Sequence, residues 1–238
     1  KKQHNPSRSF FNTKTRGLRK FLKIQKRTAP PVVMEPVEQV EEPVVTDETR
    51  IFGVSLSTAI MRRPSKDASD MPDIVYKCLT YLKEKGLNEE GIFRLSGNNE
   101  EVKNIRNKCD SGAMVSLEST KNPNNVASLL KLFMRELPDA LFRKELGMVV
   151  SADHAPLSEK ERVVREIIST LSVGQYELLK RLFSVLHSVC ERSDVNKMSA
   201  KNLAIVWSPS LRAPPNVIQF FIKRCTKIFS ETTTNVAV

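Results

Sequence analysis

Apolar residues recur at helical spacing in one segment after another between residues 70 and 229. The clearest segment is DMPDIVYKCLTYLKEKG, in which Asp70 is placed to cap a helix, Pro72 suits its first turn and Gly86 ends it. Its apolar stripe consists of Ile74, Val75, Cys78, Leu79 and Leu82. No period-two alternation extends beyond a few residues, and the chain has only 8 glycines. The sequence therefore predicts an all-α domain.

Six further helices follow from the same periodicity. Ser96 or Asn98 is expected to cap the second helix, and Pro138 is expected to stop the third. Trp207, in NLAIVWSP, is predicted to lie in the core rather than at a contact surface. The approximate predicted ranges are 98–109, 124–137, 159–171, 175–190, 199–207 and 214–229.

Charge divides the chain into parts. The formal net charge is +11, and residues 1–28 hold ten Lys or Arg and no acid. Residues 29–50 hold six acids against one Arg, together with several prolines. We expect a basic segment over 1–28, an acidic Pro-rich linker over 29–50, a folded domain over 51–229 and a short tail over 230–238. The basic segment is either a disordered linker, an anionic-membrane contact or a nuclear import signal.

Cysteine and histidine spacing suggests no metal site. The four cysteines are far apart in helical segments and form no CxxC pair, and the three histidines share no spacing with them. We expect buried, reduced thiols in a cytosolic protein. No stretch approaches the roughly 18 apolar residues of a membrane span, and no signal-peptide apolar region is present. The sequence predicts a soluble cytoplasmic protein, with membrane recruitment through residues 1–28 left open.

The usual enzyme motifs are absent from the sequence. It contains no GxxxxGK[ST] loop, GxSxG elbow, HExxH helix or kinase signature. Glu89 and Glu90 are adjacent acids with no Cys or His near them in sequence, which is typical of solvated surface charge. A nucleic-acid-binding protein would agree with the net charge, but much of that charge lies in residues 1–28 and no recognition motif appears.

One arginine lies on a short loop between two predicted helices. In EEGIFRLSG, Ile92 and Phe93 are expected to fasten the loop to the core, while Gly91 and Gly97 permit it to turn. Arg94 then has two interpretations. It either pairs with Glu89 or Glu90, or it is presented outward as a planar fork of donors that suits phosphate oxygens.

Two basic residues share one side of the third predicted helix. Lys131 and Arg135 are four positions apart, next to a wide apolar face. Like charges at this spacing repel mildly, and a shared anionic partner would reverse that repulsion. The alternative is an ordinary solvated helix face.

Three blocks of the sequence resemble one family. GIFRLSG, then NVASLLKLFMRELPDAL, then NKMSAKNLAIVWSPSL resemble the GTPase-activating domain of Rho regulators (RhoGAP), in order and spacing. The resemblance extends over roughly residues 51–229. The opening IFGVSL, the NPNNVASLLK run and the serine-proline of WSPSL are similar to the subgroup that includes the Ral-binding GAP proteins.

The resemblance implies a function and the residues that carry it. A compact helical domain would dock on a GTP-bound Rho-family small GTPase, with Arg94 as the arginine finger and with Lys131 and Arg135 supporting the finger loop and the interface. The family's GPNL reads SPSL here, so Ser210 stands at the position of the usual asparagine. The partner would carry GTP and Mg²⁺, so no cofactor is expected in this chain. The alternative is a GAP-like adaptor that binds a GTPase without accelerating hydrolysis.

Overall fold

The computed structural model describes residues 45–230, and within that range the chain forms ten α-helices and a π-helical turn, Leu82–Gly86, that continues α2. The predictions for residues 1–28, for most of the linker and for the C-terminal tail lie outside the described residues, and the proposed domain boundaries stay predictions. The helices are α1 Leu56–Arg62, α2 Asp73–Tyr81, α3 Asn99–Asp110, α4 Pro123–Glu136, α5 Lys144–Ser151, α6 Leu157–Ser169, α7 Val173–Glu191, α8 Ser193–Asn196, α9 Ala200–Leu211 and α10 Pro215–Ile228.

All seven predicted helices are present, with small shifts at their ends. The prediction that Asp70 caps α2 is wrong, because the N-cap is Pro72 and the helix starts at Asp73. Of the two candidate caps for α3, Asn98 is the one used, and its side chain accepts from the backbone N–H groups of Glu100 and Glu101. The all-α prediction is confirmed: residues 45–230 contain no strand, only an isolated bridge between Pro64 and Pro72.

The helix α9 extends past its predicted end. It runs on from Trp207 to Leu211 and contains Pro209. A proline inside a helix removes the bond from its own nitrogen to the carbonyl four residues earlier, here that of Ile205. Because Ile205 is exposed, water can satisfy that carbonyl, and the helix continues through the proline.

Three helices in the structure are absent from the prediction. They are α1, α5 and α8, with seven, eight and four residues. Segments of one or two turns repeat the helical period too few times to show it. The start of α1 has a local signal, since the Ser55 hydroxyl accepts from the Thr58 backbone N–H.

Helix α4 lies in the middle of the domain. It packs against α2, α3 and α9, while α10 covers α9 and α7. Trp207 of α9 is fully buried, which confirms its prediction as a core residue. A cluster of aromatic rings fills the other side of the core, with Phe183 and Phe221 at its centre. One face of α4 is therefore fixed in the core, and its remaining side is free to form a surface.

The cysteines are free thiols, as expected. Cys78, Cys109 and Cys225 are buried, and burial raises the pKa of Cys109 to about 12 and that of Cys225 to about 11. Cys190 is only half-buried. None of the helices within residues 45–230 is long and apolar enough to cross a membrane.

Candidate functional site

The loop that carries Arg94, residues 87–98, has an unusual backbone. Gly91 and Phe93 both have left-handed φ angles, of 70° and 67°. The carbonyl of Gly91 accepts from the backbone N–H of Arg94 and from that of Leu95, each at 2.9 Å. The Gly91 N–H donates in turn to the carbonyl of Asn196 at 2.8 Å. These bonds close a tight turn that places Arg94 at its outer edge.

Two apolar side chains fasten this loop, as the sequence predicts. Ile92 and Phe93 are fully buried, and the Phe93 ring packs edge-on against Trp207 with centroids 5.1 Å apart. A left-handed conformation costs a residue with a side chain about 1–2 kcal/mol. The burial of the aromatic ring offsets that cost, so the strained backbone before Arg94 is held by the core.

The far end of the loop is bonded to α4. The Gly97 N–H donates to the Ser128 hydroxyl at 2.9 Å, and the Asn98 N–H donates to Asn125 Oδ1 at 2.7 Å. Gly97 lies against the helix backbone: a Cβ there would be 2.6 Å from the Cα of Asn125 and 2.7 Å from the carbonyl oxygen of Asn124. Only glycine permits this approach.

Lys131 supports the loop from α4. Its ammonium donates to the backbone carbonyl of Phe93. Burial, followed by the charge of Arg135, lowers the pKa of Lys131 below its ordinary value. Lys131 is therefore half-buried and bonded, which excludes a simple solvated face at this position, whereas Arg135 one turn later is exposed.

Arg94 is exposed and takes no part in an ion pair within residues 45–230. The alternative in which it pairs with Glu89 or Glu90 is therefore not observed. Glu89 instead accepts from the Asn124 side chain at 3.0 Å. The guanidinium is left available for an acceptor outside the domain.

A groove beside the loop brings the other predicted residues together. We call it the basic groove; α3, α4 and α9 form its walls, and Lys131, Arg135 and Ser210 all line it. Arg94 does not line it but lies two residues before Ser96, which does. The full lining is Ser96, Asn99, Val102, Lys103, Arg106, Ser128, Lys131, Leu132, Arg135, Val206, Pro209 and Ser210.

Ser210 is the most enclosed of the predicted site residues. It lies in the last turn of α9, and only 5% of its surface is exposed. A serine side chain is shorter than the asparagine of the family pattern and carries no amide. A partner can therefore contact Ser210 only through a group that enters the groove.

Asn196 bonds to the loop, and no pattern in the sequence singles it out. It is fully buried, and its side-chain amide donates to the carbonyls of Leu87 at 2.7 Å and Val189 at 2.8 Å. Its Oδ1 accepts from the Met198 N–H at 2.8 Å. Asn196 lies about a hundred residues from the loop in sequence, so no local pattern connects them.

Arg212 joins the ends of two groove helices and was likewise missed. It ends α9 with a left-handed φ of 50°. Its guanidinium donates to the carbonyls of Leu137 at 2.6 Å, Pro138 at 3.2 Å and Asp139 at 2.8 Å, just past the end of α4. These bonds fix the spacing of the two helix ends that carry Arg135 and Ser210.

Arg106 of α3 also lines the groove. Its guanidinium pairs with Glu136 of α4 at 2.9 Å and with the buried Asp110 at 3.5 Å. Asp110 also accepts from the N–H groups of Ile51 and Phe52.

No group of three His, Cys, Asp or Glu side chains that could hold a metal ion is present in the part of the chain that the structure describes.

Comparison with known proteins identifies relatives of this fold and sequence. The chain is 38% identical over 164 residues to the Rho GTPase-activating protein gacY of Dictyostelium discoideum, an alignment that covers 68% of this chain and 22% of that protein. It is 35% identical over 206 residues to the GTPase-activating protein BEM3 of Saccharomyces cerevisiae, covering 76% of this chain and 18% of BEM3. The chain thus spans about a fifth of the length of these relatives.

A solved structure has the same fold. The crystal structure of human Rho GTPase activating protein 15 superposes with a TM-score of 0.68 at 24% identity, over 76% of this chain and 93% of that one. The family model described as the RhoGAP domain matches residues 72–216, a range that includes the Arg94 loop and the basic groove. This chain belongs to the RhoGAP domain family.

Proposed function

We propose that the domain binds a GTP-loaded Rho-family small GTPase and accelerates GTP hydrolysis by inserting Arg94 into the partner's active site. The single observation that carries the proposal is the exposed Arg94 guanidinium beside two fully buried residues. The buried neighbours fix the backbone at Arg94 before docking, so only the rotamer freedom of its side chain is lost when it enters a second protein. The names of the relatives, which are GTPase-activating proteins, support the same reaction.

The chemistry explains why an arginine is needed. Hydrolysis develops negative charge on the transferring phosphoryl group and on the leaving oxygen, in a site with little water. A guanidinium supplies two parallel charge-assisted hydrogen bonds, and an ammonium cannot supply this planar fork. An arginine finger contributes roughly 10³- to 10⁵-fold in rate. In this proposal the GTPase holds the nucleotide and Mg²⁺, and this chain provides only protein groups.

The surrounding residues have separate roles in the proposal. Lys131 holds the carbonyl immediately before Arg94 and so orients the finger. Arg135, which is exposed in the basic groove, contacts the GTPase surface. Ser210 contributes less than an asparagine would, because it is short and almost covered.

Single-turnover GTP hydrolysis by a panel of Rho-type GTPases tests the proposal. The wild-type domain should accelerate at least one member, and Arg94→Ala should lose roughly three or more decades of that acceleration. Arg94→Lys should remain close to the alanine variant. Arg143→Ala removes another exposed arginine, outside the groove, and should keep the wild-type rate. Unchanged hydrolysis across the whole panel would refute the activity.

The departure from the family pattern at Ser210 motivates a second candidate function. A domain with a weakened interface would bind the GTPase as an adaptor without accelerating it. In that case wild-type and Arg94→Ala proteins would bind equally and hydrolysis would be equally slow with both.

We also propose that the chain belongs to the Ral-binding subgroup. This proposal is based on the motifs IFGVSL, NPNNVASLLK and WSPSL.

A further inference from the structure

The basic groove has an unbalanced set of charges. Its lining includes four cations, Lys103 and Arg106 on α3 and Lys131 and Arg135 on α4, and no Asp or Glu. Only the two on α4 were expected from the sequence. The wall formed by α3 therefore doubles the number of positive side chains that face the groove.

Most of this charge is not neutralised by the domain itself. Arg106 pairs with Glu136 and Asp110. Lys131 donates to a neutral backbone carbonyl. Lys103 and Arg135 form no ion pair within residues 45–230, and both are exposed. The carboxylate of Glu101 on α3 is already engaged, because it accepts from the Asn125 amide. The groove thus retains a positive potential that attracts an anionic ligand.

Apolar side chains in and around the groove indicate what kind of anion fits. Val102, Leu132, Val206 and Pro209 are part of its lining. Two exposed apolar residues, Leu95 and Ile205, adjoin the lining residues Ser96 and Val206 in the chain, with 48% and 54% of their surface exposed. A free polyphosphate would leave this apolar surface in contact with water. A folded partner that presents carboxylates can cover it, as protein interfaces combine apolar anchors with charged groups.

We infer that Lys103 on α3, an exposed cation of the basic groove that is unpaired within residues 45–230, sets the rate at which a GTPase partner with surface carboxylates associates with the domain. This inference rests on the proposed function and adds to it the chemistry of the partner's contact surface. Exposed charges at the edge of an interface act mainly on the association rate, which falls as salt screens them. The step assisted by Arg94 takes place after docking and does not depend on Lys103.

A charge reversal with a matched control tests this inference. Lys103→Glu changes the groove, whereas Lys108→Glu makes the same change at an exposed position of the same helix that does not line it. Single-turnover hydrolysis is measured against domain concentration at 50 mM and 500 mM salt. At low salt we expect kcat/KM to fall about tenfold for Lys103→Glu, and at high salt less than about threefold, with kcat unchanged at both. Lys108→Glu should stay within about twofold of wild type.

The outcomes separate the inference from the function on which it rests. Thermal melts of both variants first establish equal folding. If the wild-type domain accelerates no GTPase, the proposed function fails. If it does accelerate one and the two reversals give the same kcat/KM, the inference about Lys103 is wrong while the function stands. Inositol hexakisphosphate serves as a competing polyphosphate probe in the same assay. If it inhibits the wild-type domain, and Lys103→Glu abolishes that inhibition but leaves kcat/KM unchanged, the groove is a phosphate site and the carboxylate assignment is overturned.

Discussion

The Lys131 ammonium of α4 donates a hydrogen bond to the carbonyl of Phe93, the residue immediately before Arg94. Phe93 has a left-handed backbone, with φ of 67°, that a residue with a side chain adopts only when its surroundings enforce it. The ammonium bond and the buried ring provide that enforcement from two sides. The backbone from which the exposed arginine projects is thus held by a lysine on another element.

Replacement of Lys131 by methionine should separate activity from stability. The apolar chain length is kept, but the bond to Phe93 is lost, so the maximal rate of stimulated hydrolysis should fall roughly 10- to 100-fold. The free energy of unfolding should change by less than about 1 kcal/mol, because the lost bond is offset by removal of a half-buried charge. Urea unfolding and single-turnover kinetics check both. The control is Lys121→Met, which replaces an exposed lysine just before α4. If Lys131→Met lost enough stability to account for its slower hydrolysis, the role of Lys131 in holding the loop would be contradicted.

Deprotonation of Lys131 at alkaline pH should lower stimulated hydrolysis while raising the contribution of Lys131 itself to the free energy of unfolding. The buried thiols of Cys109 and Cys225, whose pKa values are raised, change the free energy of unfolding in the opposite direction. Since burial lowers the pKa of Lys131 below 10.5, the folded domain loses this proton at a lower pH than the unfolded chain does. Between the two pKa values the unfolded chain binds more protons, so the contribution of Lys131 to the free energy of unfolding rises with pH. Over the same window the charged donor to Phe93 is lost, and stimulated hydrolysis should decline.

The control for this pH effect is the methionine variant. Lys131→Met should have no such decline in its remaining activity, because no ammonium is left to titrate at this position. A pH profile of the same shape for both proteins, measured with one GTPase, would assign the decline to the partner instead.

Gly97→Ala should damage the junction between the loop and α4. Its Cβ would meet the Cα of Asn125 at 2.6 Å, and helix backbone cannot rotate away as a side chain can. Overpacking of this kind costs about 1–3 kcal/mol, and displacement of the loop should also lower stimulated hydrolysis. Gly147→Ala in α5 is the matched control: apart from the adjacent backbone of its own helix, no atom lies within 4 Å of its Cβ, and alanine should stabilise that helix by up to about 1 kcal/mol. Equal stability of the two variants would contradict the predicted clash.

Arg212 can be tested with two substitutions that differ only in backbone freedom. Both Arg212→Gly and Arg212→Ala remove the bonds to Leu137, Pro138 and Asp139, and the loss of these bonds alone should cost each variant about 2 kcal/mol. Because φ is 50° at this position, glycine also relieves about 1 kcal/mol of backbone strain that arginine and alanine share, so the free energy of unfolding should fall by about 2 kcal/mol for alanine and by about 1 kcal/mol for glycine. Thermal and urea unfolding measure both values. If alanine retained wild-type stability, the guanidinium bonds would contribute nothing.

The sequence was informative where a local pattern carries the structure. Ile92 and Phe93 next to Arg94 indicated a fastened loop, and the four-residue spacing of Lys131 and Arg135 placed both on one side of α4. Lys131 is half-buried, which excludes the solvated helix face as an explanation at that position, whereas Arg135 is exposed as a solvated face predicts. A helical period shows that two residues share one side of a helix, but it does not show how deeply each side chain is buried.

Contacts between distant segments could not be predicted in the same way. Asn196 bonds to Leu87 across 109 positions, and Arg212 bonds to Leu137 across 75. Lys103 and Arg106 became part of the groove only because α3 packs against α4. The predicted cap Asp70 was wrong because the N-cap is Pro72, two residues later. The last turn of α9 was not predicted because Pro209 lies inside it, and proline normally ends a helix.

The contact between Phe93 and Trp207 has a practical consequence. Trp207 is the only tryptophan of the chain, and its indole lies directly beneath the strained turn. Its emission therefore reports on whether this turn is seated, so a displacement of the loop would appear as a spectral shift without any added label. Trp207 is therefore an intrinsic fluorescence probe of the contact between the Arg94 loop and the core.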